Sequence, residues 1–139
     1  MTTAHELTAI ARAELFLSLA EKCTPEQRTE FEAFLEAAIV FSRAALHRLK
    51  SEFESHPSWK VWFTQLNGNP SVKFFREHRN FLLKEASPKV GQSIFFNPVS
   101  IAAQLYYFED PSITATATVR NHLQSYAKTL QEGEACFRK

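Results

Sequence analysis

The chain has 139 residues, 45% hydrophobic and 22% charged, with 16 basic against 15 acidic side chains. That is long enough for one domain with a full core and too apolar for wholesale disorder. A net charge of +1 supplies no long-range field to steer nucleic acid or an anionic membrane.

Three glycines against thirteen phenylalanines favour long helices over a turn-rich sandwich. Residues 4–22 spell the first helix: Leu7, Ile10, Ala11, Leu15, Phe16, Leu17, Leu19 and Ala20 cover a wide arc, which predicts burial on more than one side. Thr24-Pro25-Glu26-Gln27 marks the next start, with Thr24 able to cap, Pro25 suited to the first helical position and Gln27 able to close a capping box. The second helix is expected over 25–54, where Phe31, Phe34, Leu35, Ala38, Ile39, Ser42, Ala45, Leu46, Leu49 and Phe53 keep helical spacing. A second, smaller face carries Ala33, Ala37, Val40 and Ala44, small enough for another backbone to approach, from within the chain or from a second copy.

His56-Pro57 ends that helix, because proline disfavours helix at the residue before it. A short third helix starts at Ser58-Trp59 and stops at the turn Asn67-Gly68-Asn69-Pro70. Asn69 then caps, and Pro70 begins a helix running to Ala86 before Ser87-Pro88. Beyond it the period changes. Val99, Ile101, Ala103, Leu105 and Tyr107 alternate, and Ser93-Ile94-Phe95-Phe96 precedes them across Asn97-Pro98, which predicts a small hairpin lying against the helices. Val119, Leu123, Tyr126, Leu130 and Phe137 define a last amphipathic helix over 113–136. With no repeat, linker or low-complexity stretch, the expected architecture is mainly α. It is one domain over 1–139, a four- to five-helix up-and-down bundle with a small β-hairpin before the C-terminal helix.

The fourth helix holds the most pointed feature. Val72, Phe75, Arg79, Leu82 and Ala86 follow at steps of 3, 4, 3 and 4, so Arg79 stands within the apolar stripe. A guanidinium keeps its charge and is costly to bury alone. Arg79 therefore needs carboxylate, carbonyl or ligand oxygens. Glu14, among the apolar residues of the first helix, is the candidate partner, and the alternative is a cleft. Arg76, Arg79 and Asn80 lie near one edge, where fork-like donors suit a phosphate or another anion.

The phrase Phe75-Arg76-Glu77-His78-Arg79-Asn80-Phe81-Leu82-Leu83-Lys84-Glu85 resembles the Arg-Asn helix of HEPN-domain proteins. The resemblance implies an all-helical bundle, often dimeric, with the Arg-Asn faces brought together at a cleft. It also implies that active members are metal-independent ribonucleases, commonly of toxin–antitoxin and defence systems. Arg79 and Asn80 match the first two motif positions. At the motif's histidine position, four to six residues after the arginine, this chain has Leu83-Lys84-Glu85, and His78 precedes the arginine. Cleavage by general acid–base chemistry wants a group titrating near neutral pH, and lysine at 84 is a poor substitute.

Other chemistry finds no pattern. His5, His47, His56, His78 and His122 form no HxxxH or HExxH pair, and neither a metal site nor a cofactor loop is indicated. Cys23 and Cys136 are expected to be reduced thiols of a cytosolic protein. Neither a secretory leader nor an apolar run of the roughly 20 residues a membrane span needs is present, so a soluble, cytoplasmic chain is expected. Trp59, Trp62, Phe63, Phe74, Phe75 and Phe81 concentrate around the third and fourth helices, as core or as a base-stacking surface beside Lys60, Lys73 and Arg76.

The leading expectation is a HEPN-like, non-catalytic homodimer acting as an interaction or nucleic-acid-associated protein. Arg76, Arg79, Asn80 and Lys84 are its anion- or RNA-binding candidates and Glu14 its structural candidate. The alternatives are a metal-independent ribonuclease and a plain helical adaptor.

Overall fold

The computed structural model describes residues 4–24, 26–85, 91–92, 106–107 and 113–138, with backbone alone for 4–7, 79–85 and the four strand residues. Among them are five helices: α1 (Ala4–Glu21), α2 (Arg28–Phe53), α3 (Trp59–Leu66), α4 (Pro70–Glu85) and α5 (Ala115–Phe137). The mainly α class follows directly.

Local chemistry sets the helix starts. The Asn69 Oδ1 accepts from the backbone N–H groups of Ser71 and Val72 at 2.9 and 3.2 Å, so Asn69 caps α4 and Pro70 opens it. Thr114 caps α5 by accepting from Ala117 N–H at 3.1 Å. Before α2 the expected capping box is half built. Gln27 Oε1 accepts from Thr24 N–H at 2.9 Å, but Gln27 N–H also donates to the Thr24 carbonyl, closing a turn. The helix begins after that turn, at Arg28 rather than at 25.

One core draws on all five helices. α2 supplies Leu35, Ile39, Leu46 and Leu49; α1 supplies Ala9, Ala13, Leu17 and Ala20; α4 supplies Val72 and Phe75. α5 adds Val119, Leu123, Tyr126 and Leu130. Each fully buried large side chain contributes about 1.5–3 kcal/mol. α1 and α2 pack along one another, and Phe16 stacks on Phe34 and Phe41 at centroid distances of 6.3 and 5.6 Å. α1 does not bury a wide arc as its composition suggests: Ala11 is exposed and Leu15 is 56% exposed. Its small residues Ala9, Ala13 and Ala20 let α1 lie close to its neighbours, and one face suffices.

α3 closes the C-terminal end of the bundle. The Trp62 indole lies where a Cβ on Gly133 of α5 would stand, so only glycine fits there. Phe137 sits among Phe53, His56, Trp59 and Trp62, with ring centroids 5.1–5.4 Å away.

The small β-hairpin is not shown. Strand structure among the described residues is confined to two antiparallel pairs, Gly91 with Tyr107 and Gln92 with Tyr106. Neither Gly91 nor Gln92 belongs to the expected strand Ser93–Phe96, and residues 93–105 lie outside the described ones. Two pairs are too few for an independent hairpin, and a short apolar alternation does not by itself separate strand from buried helix. No helix among the described residues is long and apolar enough to cross a membrane.

Candidate functional site

The seam between α4 and α5 is apolar at depth and polar at its edge. Phe75 of α4 meets Tyr126 of α5 edge-on at 5.0 Å, and both are buried. Toward the surface, Asn69 donates to Thr129 Oγ1 at 3.4 Å, and the buried Ser71 hydroxyl lies 2.9 Å from His122 Nδ1. The His122 ring stacks on Phe74 with centroids 4.2 Å apart and planes 15° from parallel.

His78, one turn beyond Phe74 on α4, also stands 4.2 Å from the Phe74 ring. Its Nδ1 lies 2.8 Å from the Phe74 carbonyl oxygen. A carbonyl only accepts, so Nδ1 carries the hydrogen and Nε2 is the basic nitrogen of the neutral ring. Burial pushes the His122 pKa down from its ordinary value, and the nearby His78 pushes it the same way. His122 is therefore neutral at pH 7. The seam thus gathers two imidazoles and a serine hydroxyl at the start of the helix that continues into the Arg-Asn dipeptide.

Of the residues singled out in the sequence, Arg76 is half-buried and reaches Asn67 Oδ1 at 3.4 Å, at the exposed N-terminal end of α4. Arg79, Asn80 and Lys84 lie in the C-terminal half of α4, and their side chains fall outside the described residues. The first two positions of the Arg79 stripe, Val72 and Phe75, are buried as expected. Glu14 is exposed on α1, because the buried face of that helix runs through Ala13 and Leu17. Glu14 acts instead on Arg120 of α5, whose pKa is raised first by its hydrogen bond to Glu21 and further by the Glu14 charge. The Arg120–Glu21 pair is two-pronged, at 2.7 and 3.1 Å.

Two polar residues of α5 matter more than their sequence setting suggested. His122 falls between Val119 and Tyr126 at steps of 3 and 4, inside the stripe that faces α4. Glu134 follows Leu130 by 4 and precedes Phe137 by 3, and it is 0% exposed. Its Oε1 accepts from Arg138 Nε at 2.8 Å, while Arg138 Nη2 donates to Glu52 at 2.7 Å. The signal was the one that drew attention to Arg79, a polar residue in register with an apolar stripe.

Among the described residues no group of three His, Cys, Asp or Glu side chains stands ready to hold a metal ion. Cys23 is half-buried and Cys136 exposed, both as free thiols. Burial, and then the Glu30 charge, raise the Cys23 pKa, which keeps that thiol protonated and unreactive. No protein-family model, curated protein or solved structure matches this chain.

Proposed function

We propose that this chain is a HEPN-like, non-catalytic homodimer that associates with RNA along α4. The carrying observation is the unbroken run of α4 from Pro70 to Glu85. At about 100° per residue that continuity sets positions 73, 76, 80 and 84 on one edge, occupied by Lys73, Arg76, Asn80 and Lys84. Three cations and an amide recur there at about one-turn intervals, with Glu77 4.0 Å from Lys73; they offer point charges and a fork for phosphate oxygens, with no base code. Lys84 at the motif's histidine position supplies charge without a group that exchanges protons near pH 7, so binding without cleavage follows. Dimerisation is supported by the α2 face of Ala33, Ala37, Val40 and Ala44, none of which is in the buried core.

Fluorescence anisotropy with a labelled single-stranded RNA tests the reading at several salt concentrations. Affinity should fall steeply with salt, and Arg76→Ala and Lys84→Ala should each weaken binding and flatten the salt slope. No binding at low salt would reject RNA association and leave the plain helical adaptor.

One observation favours the second reading, a metal-independent ribonuclease. His122 and His78 bring titratable imidazoles to α4 although the motif lacks its histidine. His122, neutral, would take the 2′-hydroxyl proton as that oxygen bonds to phosphorus, and the second ring, in its protonated form, would give its proton to the 5′-oxygen as the P–O5′ bond breaks. Multiple-turnover cleavage by the wild type, lost in His122→Ala and Arg79→Ala, would promote this reading over the first.

A further inference from the structure

The outward face of α2 has a charge order that selects its own partner. Val40 is 37% exposed, Ala33, His47 and Ser51 are exposed, and Ala37 and Ala44 are half-buried. Along it an open groove of about 240 Å³ is lined by Val40, Ala44, His47, Arg48 and Ser51. Beside it on α1, Leu15 presents most of its side chain to solvent, one residue before the Phe16 ring that stacks on Phe41. The face is small and apolar from Ala33 to Ala44 and turns polar at His47, Arg48 and Ser51.

The flanking charges say what covers it. Glu30 and Arg48 are 18 residues apart, which is about five whole turns, so they share one flank of the face. Glu36 and Arg43 are seven apart, about two turns, and share the other flank. Both pairs are centred on Ile39–Val40. In each, the acid lies toward the N-terminus and the base toward the C-terminus.

We infer that α2 pairs antiparallel with α2 of a second copy about a two-fold axis at Ile39–Val40. Glu30 then meets Arg48 of the other copy, Glu36 meets Arg43, and each contact occurs twice. A two-fold axis across the helix turns it end for end and sets each flank against the same flank of its mate. Acid then faces base at these four positions, whereas a parallel pairing gathers the acids at one end and the bases at the other. The small side chains at 33, 37 and 44 let the axes approach to about 8–10 Å. The apolar strip supplies the attraction; exposed ion pairs contribute little energy and instead fix register and orientation.

The inference rests on the dimeric reading above and adds its interface. Light scattering at tens of micromolar reads it out. The wild type should have twice the 15.9 kDa chain mass. Glu30→Arg/Glu36→Arg and Arg43→Glu/Arg48→Glu should each be monomeric with unchanged helical circular dichroism. Mixing the two should give a heterodimer, and the fourfold swap should be a homodimer again. These recoveries separate a broken interface from a misfolded chain. Double variants that stay dimeric alone would overturn this interface and leave the dimeric reading standing. A monomeric wild type would overturn both. Unchanged mass with lost RNA binding in Arg43→Glu/Arg48→Glu would overturn the pairing and assign the face to nucleic acid.

Discussion

At its C-terminal end α5 meets α3 through carbon. Gly133 gives the Trp62 indole room against the helix, and Phe137 fills the space between Phe53, Trp59 and Trp62. Further back, the same helix meets α4 through the buried Ser71 and the half-buried His122 and Thr129. The first contact is a dense aromatic cluster. The second has a polar edge, where burial holds the His122 imidazole neutral at pH 7. One helix thus carries an aromatic contact at one end and, further back, a seam whose perturbed imidazole marks the candidate site.

Phe137→Ala should give the largest effect, a loss of about 3–5 kcal/mol in equilibrium denaturation, because the ring is buried and its cavity is walled by rigid aromatics. A loss below about 1 kcal/mol would erase the contrast. Gly133→Ala comes next. In an open helix the change would gain about 1 kcal/mol. Here the methyl overlaps the Trp62 indole, so a net loss of about 1–3 kcal/mol is expected. A raised melting temperature would show that Trp62 moves aside freely.

The smallest effect belongs to the polar end. The folded-state pKa of His122 is depressed, so its contribution is full above the unfolded histidine value of about 6.5. It is lost as the pH falls through the lower folded value. Melting temperature should decline on acidification below neutral, and less in His122→Gln. Equal pH profiles for the two proteins would place the acid sensitivity elsewhere.

Helix periodicity is local, and it was legible. The caps at Asn69 and Thr114 and the α2 stripe from Phe31 to Leu49 follow from residues a few positions apart. The site was not legible, because its contacts are distant in sequence: Ser71 and His122 are 51 positions apart, and Arg120 and Glu21 are 99 apart. Spacing placed Glu14 inward, but α1 buries only one narrow face and leaves Glu14 outside it. His122 and Glu134 stand in register with the α5 stripe, so spacing alone marks both as polar residues turned inward.

The placement of Trp59 and Trp62 has a spectroscopic consequence. They are the chain's two tryptophans, and both stand at the aromatic end of the bundle. Intrinsic emission therefore reports the α3–α5 junction. Opening of the histidine seam, about three turns away along α5, would leave that signal flat. The imidazole ring protons of His78 and His122 are the reporters for that end, and two transitions would separate wherever the two ends of α5 loosen independently.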